Sequence, residues 1–344
     1  MTGLRPIDFE LPPERIAQTP AAPRDSARLL VLERTTGAVH HAHVRDLPDW
    51  LAAGDLLVRN TTRVLAARLR GQKATGGAAE ALLLGPAEEP GAHRALLRAG
   101  GRHRAGLKLR FEGGGLALDA EVTEVESIDG TVTLSFSAGM DPYALGETPL
   151  PPYIRRESAH VEDAARYQTV YARQPGSVAA PTAGLHFTQG LLRRLRACGV
   201  ETADVVLHVG LGTFRPLRDE DLARGRLHEE WCELTPECAG AVEAARDRGG
   251  RVVAVGTTTT RVLESRAVPD GSVRPGAGET DLLLGPGSEF RVIDALLTNF
   301  HLPRSSLLLL VAGFAGRDHV LAAYAEAIEH GYRFYSYGDA MLIV

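Results

Sequence analysis

The chain has 344 residues, of which 44% are apolar and 24% are charged, and its formal net charge is −5. This composition is typical of an ordered globular protein with one large domain or two ordinary ones, and the negative net charge by itself argues against a nucleic-acid partner. The three cysteines form no CxxC pair, and no apolar run is long enough to cross a bilayer. We therefore expect a cytoplasmic protein that makes no contact with a membrane.

In chain order, the first 66 residues contain short strand patterns at Arg28–Glu33, Ala38–Val44 and Asp55–Arg59. The pattern of apolar and polar residues changes between residues 67 and 148, where six short alternating runs are separated by glycine-rich turn clusters and no helical pattern occurs. Such regular spacing predicts a small antiparallel barrel. The six runs are Ala66–Leu69, Ala79–Leu84, His93–Leu97, Lys108–Phe111, Leu116–Val125 and Thr131–Phe136.

Residues 149–344 alternate between helix and strand patterns, which indicates an α/β sheet with crossover helices. Helices are predicted at Thr188–Ala197, Pro236–Arg248, Thr258–Ser265 and Arg317–His330, and strands at Val205–Val209, Arg251–Val255, Leu296–Thr298 and Leu307–Val311. The predicted fold is a layered α/β domain made of residues 1–66 and 149–344. A six-stranded antiparallel barrel of residues 67–148 is inserted into it.

Short blocks that combine glycine or proline with polar and aromatic residues interrupt the apolar runs of the α/β part. The densest block, Gly176–Thr188, contains Thr182, Gly184 and His186. Because α/β proteins bind ligands at the carboxyl ends of their strands, we expect the blocks to build one site. A loop with an incidental histidine is the alternative for any single block. Other blocks contribute His208, Gly210, Gly212, Thr213, His228, Glu230, Asn299, His301, Tyr335 and Tyr337.

A run of four threonines, Thr257, Thr258, Thr259 and Thr260, follows an apolar strand and Gly256 and precedes Arg261. Hydroxyls and backbone N–H groups at the start of a helix suit a carboxylate, a ribose or a phosphate. Ordinary threonine capping is the alternative, but one cap needs one threonine. The segment lacks the lysine of a P-loop and the GxGxxG of a Rossmann turn.

Proton transfer needs a titratable group in such a site, and a histidine is the usual choice near neutral pH. His186 and His208 are the candidates, with Asp281 and Asp339 as candidate acids. A strand containing His40-His41-Ala42-His43 could suggest a metal, but no neighbouring carboxylate or cysteine cluster in the sequence completes a site. We therefore predict no bound metal.

A basic stretch inside the predicted barrel could bind phosphates despite the negative net charge. A solvated hairpin face is the alternative interpretation. The stretch consists of Arg98, Arg102, Arg104, Lys108 and Arg110.

Taken in order, these blocks resemble the S-adenosylmethionine:tRNA ribosyltransferase-isomerase family of queuosine biosynthesis, nearly from end to end. One departure is Asn60-Thr61-Thr62-Arg63, where the family often has Asn-Asp-Thr-Arg, so no acid is assigned there. The blocks that carry the resemblance are Asp8–Pro13, Ile16–Pro20, Pro23–Ser26, Pro149–Arg155, Tyr167–Tyr171, Gly176–Thr188, Val209–Pro216, Gly256–Ser265, Asp294–Pro303 and Tyr332–Ile343.

The resemblance implies an α/β domain with an inserted barrel. It also implies transfer and isomerisation of the ribosyl part of S-adenosylmethionine onto the 7-aminomethyl-7-deazaguanine base at the tRNA wobble position, giving epoxyqueuosine, adenine and methionine. S-adenosylmethionine would be a consumed co-substrate, with no further cofactor. The other partner would be a tRNA with a GUN anticodon, and a monomer is expected.

Within that reaction, His186 or His208 is expected to transfer a proton, with Asp281 and Asp339 as acid or electrostatic partners. The threonine run should contact the methionine or ribose end, and Asn299 and His301 should recognise a polar edge. The aromatic residues Tyr332, Phe334, Tyr335 and Tyr337 should stack or line the pocket. A non-catalytic tRNA-binding protein and a methyltransferase are the alternatives, and the missing glycine turn disfavours the second.

Overall fold

The computed structural model describes residues 5–126, 130–137, 139–156, 161–210, 217 and 219–344. The strands are β1 (Arg28–Leu32), β2 (Val39–His43), β3 (Leu56–Asn60), β4 (Thr62–Val64), β5 (Arg68–Lys73), β6 (Ala78–Pro86), β7 (Ala92–Ala99), β8 (Lys108–Gly113), β9 (Leu116–Val125), β10 (Val132–Phe136), β11 (Gln174–Ser177), β12 (Glu201–Leu207), β13 (Arg226–Leu234), β14 (Val252–Val255), β15 (Gly276–Leu282), β16 (Ala295–Asn299) and β17 (Ala340–Ile343). The helices are α1 (Val161–Arg166), α2 (Gln189–Ala197), α3 (Asp219–Arg224), α4 (Pro236–Asp247), α5 (Thr257–Ser265), α6 (Ser306–Ala315) and α7 (Arg317–Glu329).

A nine-stranded mixed sheet organises the α/β part, in the order β15-β13-β12-β3-β14-β16-β17-β1-β2. Its central strands β12, β3, β14 and β16 are parallel to one another. Their carboxyl ends therefore meet at one edge of the sheet, where α/β proteins place ligand sites. The predicted α/β class is confirmed, and this edge carries the residues of the candidate site.

Both faces of the sheet are buried, which explains why its strands are continuous apolar runs. In β3, Leu56 and Val58 belong to one core cluster while Leu57 belongs to another on the opposite face. Alternate residues of a strand point to opposite faces, so each strand contributes to two cores. Helix packing on both sides holds the central strands rigid beneath the site.

The six predicted runs form a closed antiparallel barrel, in the order β10-β7-β6-β5-β8-β9. Its interior is filled by small and branched side chains, including Ala81, Leu83 and Leu134, none of which is exposed to solvent. Strands β4 and β11 flank the barrel in sequence and pair in parallel outside it. The barrel prediction is confirmed, whereas the domain boundaries at residues 67 and 149 stay predictions.

The predicted strand Leu307–Val311 is wrong, because this run lies within helix α6. Ser305 caps the helix, since its hydroxyl accepts a hydrogen bond from the Leu308 N–H at 3.2 Å. Most side chains of α6 are buried, so the segment is apolar on nearly all sides and shows no helical periodicity. A short apolar run does not distinguish a buried strand from a buried helix.

In the described part of the chain, no single helix has the length and hydropathy needed to span a bilayer. Helices α6 and α7 meet those criteria only as a pair, and the pair is bent by 113°.

Candidate active site

A cleft lies at the carboxyl edge of the central strands. Most of its lining comes from four segments: residues 180–183 of the Gly176–Thr188 block, the start of α5, residues 298–302 at the end of β16, and the turn before β17. It thus brings together the predicted residues Thr182, Thr257, Thr258, Asn299, His301 and Tyr335. Further lining residues, absent from our predicted set, include Tyr153, Ala180, Pro181, Ser305 and Ser336.

Asn299, the last residue of β16, presents an acceptor that no described group satisfies. Its side-chain Nδ2 donates to His186 Nε2 and to the Tyr335 carbonyl, both at 3.1 Å. These two bonds use both amide hydrogens and fix the orientation of the amide. The remaining atom, Oδ1, is buried and has no hydrogen-bond partner among the described residues. A buried acceptor is costly to leave unpaired, so a ligand that donates an N–H or O–H group here would be stabilised.

His186 lies behind Asn299 and does not line the cleft. Burial lowers its pKa to about 4, the Asp339 carboxylate partly opposes this, and Arg333 and Arg24 lower the pKa further. The ring is therefore neutral at pH 7, and its Nε2 already accepts from Asn299. This arrangement suits a positioning residue better than a proton acceptor, because protonation at Nε2 would break that hydrogen bond.

His301 lines the cleft as a second neutral imidazole. Its Nε2 is 2.8 Å from the Thr298 hydroxyl, and its backbone N–H donates to the Tyr324 hydroxyl at 3.0 Å. Burial lowers the pKa of this ring to about 3. His301 can therefore offer hydrogen bonds to a ligand, but it carries no charge at neutral pH.

Two aromatic rings, Tyr153 and Tyr335, line the cleft with centroids 4.7 Å apart. Tyr335 has a φ of 72°, in the left-handed region that tyrosine rarely adopts. Such strain persists where the surrounding structure determines it, here through the hydrogen bond from Asn299 to the Tyr335 carbonyl. Aromatic faces of this kind can hold a planar base or a sulfonium.

The other predicted aromatic residues are core residues. Tyr337 packs against Tyr167 at a centroid distance of 5.9 Å, and its hydroxyl donates to Asp163 at 3.4 Å. Tyr332 and Phe334 belong to the large core cluster on one face of the sheet.

The threonine run divides into two pairs with different roles. Thr257 and Thr258 line the cleft at the start of α5, where Gly256 provides no side-chain cap for the helix N–H groups. Thr259 and Thr260 instead return hydrogen bonds to the Val255 and Gly256 carbonyls and are fully buried. Two hydroxyls and the N-terminal end of a helix therefore face the cleft, where they suit an anionic or hydroxylated ligand.

Asn60, at the carboxyl end of β3, connects the threonine run to the neighbouring strand β12. Its Oδ1 accepts from the Thr62 and Leu207 N–H groups, and its Nδ2 donates to the Leu207 carbonyl and to Thr258 Oγ1. We did not select Asn60 from the sequence. Its position directly after an apolar strand was the signal that could have found it.

His208 follows β12 and forms a second polar group at the same edge. Its ring stacks on Trp231 at 4.9 Å, and its Nδ1 is 2.8 Å from the Thr62 hydroxyl. A Cβ on Gly176 would lie 2.6–2.8 Å from three atoms of this ring, so only glycine fits against it. Partial burial lowers the pKa of His208, which is therefore neutral at pH 7.

Glu230 and Arg261 form a buried ion pair beside the cleft. Glu230 accepts the Gly210 N–H at 2.8 Å, while Arg261 donates to the Leu282 and Thr280 carbonyls at 3.1 and 3.3 Å. The pair thus joins α5, β13 and β15 and holds the chain as it leaves the cleft at Gly210. The predicted residues Gly212 and Thr213 lie outside the described residues, and His228 is exposed on β13.

Three other predicted residues lie away from the cleft. Asp281 is on β15, where it pairs with Arg226 at 3.3 Å. Asp339 accepts hydrogen bonds from the Arg28 and Arg333 N–H groups at 3.0 and 2.8 Å and is 2% exposed. A Cβ on Gly184 would lie 2.2 Å from the Tyr171 hydroxyl, so this glycine serves close packing.

On the barrel, acidic neighbours offset part of the predicted basic surface. Arg110 lies 3.1 Å from Asp119 and 3.5 Å from Glu112, and Lys108 is opposite Glu121. Arg98 lies 3.9 Å from Glu80. No ion pair of Arg102 or Arg104, which lie between β7 and β8, occurs within the described ranges.

Comparison with known proteins gives a consistent result over the whole chain. The family described as "Queuosine biosynthesis protein" matches residues 4–343. A relative from Moorella thermoacetica, named S-adenosylmethionine:tRNA ribosyltransferase-isomerase, is 50% identical over 343 residues, covering 98% of each chain. A relative of the same name from Anaeromyxobacter dehalogenans is 52% identical over 348 residues, covering 99% of each.

Among solved structures, an S-adenosylmethionine tRNA ribosyltransferase from Thermotoga maritima is 39% identical to this chain. It matches with a TM-score of 0.57 and covers 98% of this chain and 99% of its own. The chain therefore belongs to the queuosine biosynthesis protein family.

Proposed function

We propose that this protein is an S-adenosylmethionine:tRNA ribosyltransferase-isomerase. It transfers the ribosyl part of S-adenosylmethionine to the 7-aminomethyl-7-deazaguanine base of a precursor tRNA and isomerises it, with release of adenine and methionine. Support comes from family membership and from the names of relatives that match the chain over nearly its full length. A GUN anticodon, a monomeric state and a cytoplasmic location are further parts of this proposal.

The observation that carries the assignment of the site is the unpaired Oδ1 of Asn299 in a cleft with two tyrosine rings. Adenine and 7-deazaguanine bases both present amino groups along the edge of a flat ring. One such amino group donates to Oδ1 while the ring lies against Tyr153 or Tyr335. The start of α5, with Thr257 and Thr258, binds the methionine carboxylate or the ribose hydroxyls.

The reaction requires a base to remove the acidic hydrogen next to the sulfonium, and a proton donor for the departing adenine. Of the two predicted histidines, His208 fits proton transfer better. Its ring lies between Trp231 and Gly176, and Thr62 occupies Nδ1. Its Nε2 lies against Gly176 and has no hydrogen-bond partner among the described residues, so it is the atom that would exchange a proton with a substrate reaching beyond the cleft lining. His186 acts through Asn299, whose amide it orients.

The test is incubation of the purified protein with precursor tRNA and S-adenosylmethionine, followed by mass analysis of the wobble nucleoside and of the small products. We expect adenine and methionine, and only when the precursor tRNA is present. S-adenosylhomocysteine as the main product would show a methyltransferase. Binding of the tRNA without any product would show a non-catalytic binding protein.

His208→Ala should abolish most turnover, because general acid–base help contributes about 10²- to 10⁴-fold. Tyr324→Phe is a control in the core outside the cleft lining: it removes one buried hydroxyl, which among the described residues accepts from the His301 backbone N–H. Tyr324→Phe should retain the pH dependence of wild type, whereas full activity in His208→Ala would remove His208 from the mechanism.

A further inference from the structure

A cluster of three potential metal ligands lies on the outer side of the α/β part, where β2 meets the end of α7. His41 comes from β2, and Glu326 and His330 come from one face of α7 and its C-terminal cap. One ligand atom of each residue lies within 4.8 Å of the others. The sequence did not reveal this group, because Glu326 and His330 are almost three hundred residues from His41.

Hydrogen bonds restrict which ring nitrogens carry protons. Tyr332 Oη lies 2.8 Å from His41 Nδ1 and 3.3 Å from the Leu29 carbonyl, so it accepts from His41 Nδ1 when its own hydrogen points to Leu29. His330 Nδ1 lies 3.0 Å from the Glu326 carbonyl oxygen, which can only accept. His330 therefore carries its neutral-state proton on Nδ1, which leaves a lone pair on its Nε2. His41 has the same tautomer when its Nδ1 donates to Tyr332.

His41 Nε2 lies 3.1 Å from the Glu326 carboxylate. An N–H on Nε2 can donate across this distance, and a metal ion bound by both groups can take the place of that hydrogen. Ligands around tetrahedral Zn²⁺, with bonds of about 2.0–2.2 Å, are about 3.3–3.6 Å apart. The two groups therefore need only a small movement to hold the ion, and the hydrogen bond from His41 is the competing arrangement.

We propose that His41 Nε2, Glu326 Oε1 and His330 Nε2 bind one Zn²⁺ ion, with water completing the coordination. Two imidazoles and one carboxylate are typical zinc ligands. Each imidazole donates its other N–H to a neighbouring acceptor, as in established zinc sites. The ion would also lie at the carboxyl end of α7, where the helix dipole favours a cation.

One nearby charge opposes binding. The Arg28 guanidinium donates to the His330 carbonyl at 2.6 Å and lies 3.7 Å from the centroid of the Tyr332 ring. Glu326 supplies the only negative charge among the three ligands, so the bound site keeps a net charge of +1. None of the three ligands lines the cleft, so the ion would join β2 to α7 and take no part in the cleft chemistry.

The experiment is a titration of the metal-stripped full-length protein with Zn²⁺, followed by calorimetry, native mass spectrometry and thermal melting. Wild type should bind one equivalent of Zn²⁺ and melt at a higher temperature with it. His41→Ala, Glu326→Gln and His330→Ala should each weaken binding by about 100-fold or more and abolish the shift in melting temperature. That loss exceeds the 10- to 100-fold typical of removing an outer hydrogen-bond partner.

The matched control is His40→Ala, because His40 Nε2 contacts Glu33 at 2.9 Å on the same strand without a third ligand. It should bind Zn²⁺ as wild type does. His41 and Glu326 have side chains 34% and 38% exposed, so substitution leaves the core intact. Equal binding in wild type and the three variants, or no binding by wild type at about 100 μM Zn²⁺, would overturn the proposal and leave a simple hydrogen bond between His41 and Glu326.

Discussion

Replacing His186 tests whether this residue orients Asn299 or transfers a proton. His186→Ala removes the acceptor for one Asn299 N–H and leaves that buried donor unpaired. Such a loss costs about 1–3 kcal/mol, which at about 1.4 kcal/mol per tenfold change predicts a decrease in kcat/KM of about 5- to 150-fold. A lost general base would cost about 10²- to 10⁴-fold, so the two ranges overlap and a second variant is required.

His186→Gln supplies that variant, because a glutamine side-chain oxygen can accept the same hydrogen bond but cannot act as a base at neutral pH. We expect it to recover most of the activity lost in His186→Ala. Neither variant should remove an ionisation from the pH–rate profile, since the His186 pKa of about 4 keeps the ring neutral throughout the working range.

The assay is adenine release with precursor tRNA between about pH 5.5 and 9, analysed for kcat and KM separately. Equal inactivity of His186→Gln and His186→Ala, together with loss of one limb of the pH profile, would refute the positioning role. It would then make His186 the base.

Further predictions concern stability, tRNA binding and metal dependence. The pKa values of His186 and His301 are lowered from 6.5 to about 4 and about 3, so the unfolded chain binds more protons below pH 6.5. Stability should therefore fall as the pH decreases, by about 2 kcal/mol per histidine at pH 5, measured by urea unfolding. Arg102→Ala and Arg104→Ala should each lower the salt dependence of tRNA binding by about one phosphate contact, whereas an unchanged slope would leave the barrel as a solvated face. Asp339→Ala should lower the melting temperature, because each lost hydrogen bond to the carboxylate contributes about 1.5–3 kcal/mol. Adenine release should survive EDTA, since no cluster of three or more potential metal ligands lies among the described residues that line the cleft.

The parts of the fold with strong local patterns could be predicted from the sequence. Alternation predicted each barrel strand, because every barrel strand has one buried and one exposed face. Strands β4, β11, β13, β15 and β17 were missed. Only one of the seven residues of β15, Thr280, is buried, and β17 is a run of only four residues next to aromatic side chains.

The region of the site could be predicted from the sequence, but the roles of its individual side chains could not. The glycine- and proline-rich blocks do meet at the strand ends, yet His186 lies beneath the surface that Asn299 presents. Whether a polar side chain lines a cleft or supports its neighbour depends on tertiary packing, which has no local signature. Asp339 illustrates this, because its carboxylate is occupied by the backbone N–H groups of nearby Arg333 and of Arg28 at the opposite end of the chain.

The position of β17 has a consequence for the order in which the protein forms during synthesis. β17 lies between β16 and β1, and it pairs Ala340 with Leu29 from the opposite end of the chain. While the ribosome still holds the last residues, β1 and β2 can pair with each other but not with the rest of the main sheet, whereas the barrel strands, all within residues 68–136, can already close. The nascent chain should therefore carry a folded barrel beside an incomplete sheet. It can finish folding only after release, because its widest-separated strands must then find each other through slow, non-local pairing.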